Sequence, residues 1–312
     1  MDEKDKKNII GVDIGGTHIT ACAVDVNTNK ILSKTKVEAD IDNKAEADVI
    51  INKWSSVIEK CFNKTENCSN IVCLAIPGPF DYANGIGLYE GNDKYPLLKD
   101  VNIKQKLEHS LSQYNIEVRF VNDALAFAIS EANTAEAKAI SKTIVLTLGT
   151  GFGSAFMDKG LPVLEGETVP EHGCLWYIPF KSGIADDYFS TRWFETSYYH
   201  ISGVEIEGVK MLNNLAQKDI VAKSVFEKMG TNLAEFLHPH IKQFGAEQII
   251  LGGNIAKANE LFLPSFVEKL KEFEIEVKIL ITKLFQDSAI IGVTMLADDS
   301  YYEKLKPMLK NM

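Results

Sequence analysis

Apolar residues follow two different rhythms along the chain. From Asn8 the sequence reads NIIGVDIGG and then THITACAVD, two β-rich apolar runs joined through Gly15-Gly16, with a second turn at 27–30. Such a pattern predicts a strand hairpin. Over 48–63 the spacing changes to three and four (Ile50, Ile51, Trp54, Val57, Ile58, Phe62), which predicts a helix. A buried strand at 71–76 ends at Pro77-Gly78-Pro79, and an amphipathic helix is predicted at 103–114. A strand at 118–121 then meets a helix at 124–132, with Asn122-Asp123 at the corner.

The same plan restarts at 143–148, where TIVLTLGTGFGSAFMDKGLPV predicts a second hairpin. Gly16-Thr17 stands nine residues before Asp25, and Gly149-Thr150 nine before Asp158. Each copy opens one half of the chain, as in a duplicated α/β domain. The stretch 165–184 is rich in Gly, Pro and aromatics without a period and reads as a loop. Helices are predicted at 186–199, 222–237, 261–273 and 289–297, and strands at 248–251 and 277–281, the first closed by Gly252-Gly253-Asn254. Alternating strands and helices in both halves define an α/β protein.

Composition narrows the function. A length of 312 residues favours two domains. With 33 basic against 43 acidic side chains, the formal charge of −10 repels a polyanion and excludes nucleic-acid binding by bulk charge. The opening MDEKDKKN is too polar for a signal peptide, and no apolar run reaches a membrane span. Five cysteines without CxxC spacing fit reduced thiols, so a cytoplasmic location is expected.

Glycine turns follow two of the predicted strands, Asp13-Ile14-Gly15-Gly16-Thr17 and Leu148-Gly149-Thr150-Gly151-Phe152-Gly153. Glycine permits positive φ and lets amides approach an anion. Neither turn has P-loop or dinucleotide-fold spacing, so plain hairpin turns and phosphate sites both stand as readings. Asp13, at the end of a buried strand, either binds a cation near phosphates, usually through its water shell, or caps a turn. At Asn122-Asp123 an N-cap competes with a general base. His172 and Cys174 read as surface groups, and His238-Pro239-His240 as a helix end.

In order, DIGGT, PGPFD, VNDALAFA, LTLGTGFGSAF, ExG and ILGGN resemble the ROK family of sugar kinases and repressors over about residues 9–297. The resemblance implies an actin-like ATPase (ribonuclease H-like) fold with two α/β domains around a cleft. The N-terminal domain would take residues 1–121 plus 287–312, and the C-terminal domain 122–286. Asp13, Gly15, Gly16 and Thr17 would form the first phosphate motif, Gly149, Thr150 and Gly151 the second, and Gly252, Gly253 and Asn254 the stretch near the nucleoside. Asp123 would be the base that deprotonates the sugar hydroxyl. Gly78, Asn92, Asn122 and Glu171 would contact sugar, with Mg²⁺ held near Asp13.

Two departures stand out. Family kinases carry ExGH and then CxCGxxGC, which binds structural zinc. Here Cys174 takes the His position and Lys181-Ser182-Gly183-Ile184-Ala185-Asp186 replaces the cysteines, so no structural zinc is expected. Asp186 takes the place of a sugar-binding Glu. The resulting expectation is a Mg²⁺-ATP-dependent kinase acting on the 6-hydroxyl of a hexose such as glucose or of an N-acetylhexosamine, as a homodimer. The alternatives are a polyphosphate-dependent glucokinase and a non-catalytic sugar sensor or transcriptional regulator. A regulator would need an extra N-terminal helix-turn-helix, whereas the first hairpin starts at about Ile9.

Overall fold

The computed structural model describes residues 8–90, 94–134, 136–283 and 287–311. The chain forms two compact units, Met1–Ser130 with Gln286–Met312, and Glu131–Phe285, the second inserted into the first. Among the described residues no helix is long and apolar enough to cross a membrane.

In the first unit β1 (Asn8–Ile14) and β2 (His18–Asp25) form the expected hairpin, with Ile14 opposite Ile19. Short strands β3 (Lys30–Ile31) and β4 (Val37–Asp40) both pair with β2. Helix α1 (Ala47–Asn63) buries Ile50, Ile51, Trp54, Val57, Ile58 and Phe62, the stripe that its spacing predicts. It crosses to β5 (Cys68–Ile76), parallel to β1, and β6 (Phe80–Asp81) pairs with β7 (Ile86–Gly87) beyond it. Helix α2 (Ile103–Ser110), capped by Asn102 Oδ1 on the Gln105 amide, leads to β8 (Glu117–Asn122), parallel to β5, and then to α3 (Asp123–Ala132).

The second unit repeats the plan. Strands β9 (Lys142–Leu148) and β10 (Phe152–Asp158) pair with Leu148 opposite Phe152, and β11 (Leu161–Pro162) extends the sheet. The stretch read as a loop carries a ribbon, β12 (Pro179–Phe180) with β13 (Gly183–Ile184), too short to show a period. Helices α4 (Ala185–Phe189), α5 (Thr191–Ser202), α6 (Gly208–Leu215) and α7 (Ile220–Phe244) follow. Strand β14 (Gln248–Gly252) is parallel to β9, and α8 (Asn259–Glu272) connects it to β15 (Lys278–Ile281). The chain then returns to the first unit as α9 (Asp287–Thr294) and α10 (Asp299–Leu305).

The main path through the first sheet is β3-β2-β1-β5-β8, and through the second β11-β10-β9-β14-β15. Each is an antiparallel hairpin continued by two parallel strands, so the repeat suggested by the Gly-Thr turns is a repeat of topology. The second core is dominated by aromatics, including Phe152, Phe156, Phe189, Phe194, Phe226 and Phe236.

Two expectations need correction. The helix predicted over 186–199 is two helices, because Ser190 is extended (φ −107°, ψ 166°). There the Thr191 amide and hydroxyl both donate to the Gly149 carbonyl, at 2.8 and 3.0 Å, a tertiary tie that overrides helical periodicity. His238-Pro239-His240 lies inside α7 instead of ending it. Proline cannot donate to the carbonyl four residues back. His238 Nδ1 compensates, lying 2.8 Å from that Glu235 oxygen.

Candidate active site

The strand registers decide which motifs can act together. In the first unit β1, β5 and β8 run parallel as neighbours, with Asp13 beside Ala75 and Ile76 beside Asn122. The Gly15–Thr17 turn, the Pro77-Gly78-Pro79 loop and the Asn122-Asp123 corner therefore share one edge, at the strands' carboxyl ends. That edge is where open α/β sheets place their ligands.

At the corner the cap falls on Asn122. Its Oδ1 accepts the amides of Ala124 and Leu125 at 3.0 and 3.3 Å, while its Nδ2 donates to the Tyr82 hydroxyl at 3.1 Å. Asp123 Oδ1 meets the Ala124 amide at 2.9 Å, and its Oδ2 has no donor among the described residues. Burial is the first cause that pushes the Asp13 carboxyl up to about 6, the negative charge of Asp123 the second, while His18 opposes both. Among the described residues the Asp13 carboxylate accepts no hydrogen bond, which argues against the turn-cap alternative.

The turn glycines lack the conformation a tight hairpin turn would demand. Gly15, Gly16, Gly149 and Gly151 are absent from the positive-φ residues, so backbone freedom does not explain them. A Cβ built on Gly16 or Gly149 would meet nothing within 4 Å. At Gly16 and Gly149 the absent side chain leaves the space above the turn open, whereas a Cβ on Gly15 would meet the His18 ring at 2.4 Å. Among the described residues no backbone carbonyl accepts from the amides of Gly16, Thr17, Thr150 or Gly151, and Thr17, Thr150 and Gly151 are exposed. Unpaired amides of this kind suit an anion.

The aromatic residues that fix the first turn and the Pro77-Gly78-Pro79 loop carry no motif signal. The Tyr95 hydroxyl donates to the Gly15 carbonyl at 2.5 Å, and Tyr89 and Tyr82 donate to the carbonyls of Pro77 and Ile76 at 3.0 and 3.2 Å. Burial raises the pKa of both Tyr89 and Tyr95, which keeps them as neutral donors. Tyr82 Oη would stand 3.2 Å from a Cβ on Gly78.

In the second unit Gly149–Gly151 ends β9, and Gly252-Gly253-Asn254 follows its parallel neighbour β14, with Gly252 beside Thr147. Gly253 has a local reason to be glycine: its φ is +83°, and a Cβ would lie 2.3 Å from the Leu148 carbonyl oxygen. Asn254 is exposed. Glu171 occupies a short 3₁₀ turn, Glu171–Gly173, 3.7 Å from His172 Nε2, with its carbonyl accepting from Tyr177 Oη at 3.2 Å. Asn92 lies outside the described residues.

Asp186, expected among the sugar contacts, is anchored to the glycine turn. Its Oδ1 accepts the Phe152 amide and its Oδ2 accepts Arg192 Nη2, both at 2.7 Å. Both oxygens thus have protein donors. Sequence reasoning overlooked Arg192, whose one local signal is its place six residues after Asp186.

The ROK family profile matches residues 9–300. The chain belongs to the ROK family. It is 24% identical over 311 residues to the N-acetyl-D-glucosamine kinase of Vibrio parahaemolyticus, covering 92% of this chain and 98% of that protein. The glucokinase of Thermotoga maritima is 24% identical over 324 residues, at 93% and 97% coverage. The crystal structure of a ROK family glucokinase from Streptomyces griseus, in complex with glucose and AMPPNP, superimposes with a TM-score of 0.70 at 20% identity, covering 93% of this chain and 98% of that one. The family's actin-like ATPase fold, implied by the motif order, is the fold of this chain.

Proposed function

We propose that this protein is a sugar kinase that transfers the γ-phosphate of ATP to a hydroxyl, the 6-hydroxyl in the first instance, of a hexose or N-acetylhexosamine. The observation that carries this reading is the shared edge of the first sheet, where the strand registers bring together Asp13, the open amides of Gly16 and Thr17, and the Asn122-Asp123 corner. The relatives named glucokinase and N-acetyl-D-glucosamine kinase support it.

In this reading Asp123 accepts the proton of the attacking hydroxyl, a contribution of about 10²–10⁴ in rate. The hydroxyl oxygen bonds to the γ-phosphorus as the bond to the bridging oxygen breaks, and ADP leaves. Asn122 serves by holding the corner: its cap fixes the first turn of α3 and so the direction of Asp123. The amides of Gly16, Thr17, Thr150 and Gly151 donate to phosphate oxygens, while Gly252, Gly253 and Asn254 lie near the nucleoside. Gly78, Asn92 and Glu171 complete the sugar contacts.

A Mg²⁺ ion fits beside Asp13, a carboxylate without protein donors whose charge is held off by burial and by Asp123. Among the described residues no three His, Cys, Asp or Glu groups form a metal cage, so phosphate and water would complete the shell. Such an ion would offset charge on the phosphates. A homodimer in the cytoplasm belongs to the same reading.

The test is nucleotide-coupled turnover over a panel of hexoses and acetamido-hexoses, with ATP and polyphosphate as donors and the Asp123→Asn protein alongside. Sugar-dependent turnover that collapses in the variant, with sugar binding retained, supports the reading. Sugar binding without turnover from either donor would transfer the assignment to a sensor.

A further inference from the structure

The second glycine turn has a charged neighbour that the kinase reading leaves unused. Asp186 lies in the first turn of α4, and one of its oxygens is bound to the Phe152 amide immediately after the turn. That same oxygen would stand 3.2 Å from a Cβ on Gly151. The carboxylate is therefore built into the turn. A negative charge there opposes any anion bound to the Thr150 and Gly151 amides unless it is neutralised.

Arg192 neutralises it. The 2.7 Å bond from Nη2 to Asp186 Oδ2 holds the guanidinium one carboxylate away from Gly151. Arg192 is the second residue of α5, whose start is tied to the turn by the two Thr191 bonds to the Gly149 carbonyl. The side chain is 67% exposed, and its other N–H groups meet no acceptor among the described residues. A guanidinium has five N–H donors in a plane suited to phosphate oxygens. An ordinary exposed ion pair contributes little and is free to rearrange. This one is fixed at the carboxylate end by a backbone amide and at the arginine end by a helix start pinned to the turn.

We propose that Arg192 binds the phosphoanhydride chain of the phosphoryl donor on the Gly149–Gly151 turn, and that Asp186 is the residue that positions it, an inference resting on the kinase reading. The donor chemistry is a chain of linked phosphates, carried by a nucleoside triphosphate or by inorganic polyphosphate. Asp186 thereby serves the Gly149–Gly151 turn, through the Phe152 amide and through Arg192.

The experiment titrates wild type, Arg192→Ala, Arg192→Lys and Asp186→Asn with ADP, adenosine and inorganic polyphosphate, and measures KM for donor and sugar separately. Arg192→Ala should weaken ADP about 10- to 100-fold, the loss of a charge-assisted hydrogen bond, and raise KM for ATP comparably. Adenosine affinity and the sugar KM should stay within about twofold, since neither ligand carries the chain. Asp186→Asn, which keeps an acceptor for Phe152, removes the opposing charge together with the positioning of the guanidinium, so its ADP affinity should change less than that of Arg192→Ala. If polyphosphate is the donor, the same split appears with polyphosphate in place of ADP and ATP.

Unchanged ADP and polyphosphate affinity in Arg192→Ala would overturn the proposal while leaving the kinase reading intact. Equal losses for adenosine, sugar and ADP would overturn it as well, by showing general damage. Should Arg192→Ala fail to fold, Arg192→Lys decides on the same readouts, its expected effect being a weaker form of the same split. Wild-type protein that binds neither ADP nor polyphosphate would defeat the kinase reading itself, and this inference with it.

Discussion

Asn122 caps the helix that Asp123 begins. Its Oδ1 lies 3.0 Å from the Ala124 amide and 3.3 Å from that of Leu125. The two adjacent residues thus differ: Asn122 spends its oxygen on the helix start, whereas Asp123 Oδ2 has no donor among the described residues. Substituting them should separate stability from catalysis. Asn122→Ala should lose about 1 kcal/mol of stability. Asp123→Asn, which relieves the repulsion on Asp13, should melt no lower than wild type and lose at least 10²-fold in kcat, consistent with removal of a general base. Denaturation and turnover measured on both proteins check this, and the same kcat in Asp123→Asn as in wild type would remove Asp123 from the mechanism.

Glycines 16 and 149 offer a sharper discrimination. Neither has a neighbour within 4 Å of a Cβ, and neither has positive φ. Gly16→Ala and Gly149→Ala should therefore change stability by less than about 1 kcal/mol. A methyl group over the amides should nonetheless weaken ADP binding at least tenfold. Calorimetric titration decides, since turns without a ligand would leave affinity unaltered.

Asp13 makes stability depend on pH. Its carboxyl is raised from 3.8 to about 6 by burial and Asp123, so between those values the folded chain keeps a proton that the unfolded chain has released. Stability from this group is present below about pH 4 and is lost as pH rises through 6. Asp13→Asn removes the charge and should stabilise the protein at pH 8 by about 1–2 kcal/mol, allowing for partial exposure. Near pH 3.5 the gain should vanish. Melting curves of both proteins at the two pH values test the sign.

Inside α7, His238 compensates for a proline. His238→Ala leaves the Glu235 carbonyl without the partner that the Pro239 nitrogen cannot supply. A loss of about 0.5–1.5 kcal/mol is expected, the net worth of one hydrogen bond. His238→Asn, able to donate to the same oxygen, should recover part of it, and chemical denaturation of the three proteins measures the difference.

Most of the architecture was legible because strands such as 71–76 and helices such as 48–63 carry their periodicity locally. The glycine turns and the Asn122-Asp123 corner were also local, each a few residues at a strand end. What stayed hidden depends on contacts distant in sequence. Tyr95 acts on Gly15 across 80 residues, and Thr191 breaks a helix by bonding to Gly149. Asp186 was placed among the sugar contacts by the family resemblance alone, and only the fold puts the Phe152 amide and Arg192 on its two oxygens. The ribbon at 179–184 has strands of two residues, below any readable period.

The insertion of one unit into the other sets an order of assembly. Arg119 on β8 donates to the Leu296 carbonyl and pairs with Asp299, and Ile290 of α9 packs on Cys22 and Val24. During synthesis these partners emerge only after residue 285, when every strand of the inserted unit has already been made. The half carrying Asp13 and Asp123 begins first and closes last. A nascent chain would therefore hold a finished Gly149–Gly151 turn while the edge that carries Asp13 and Asp123 still awaited the final helices.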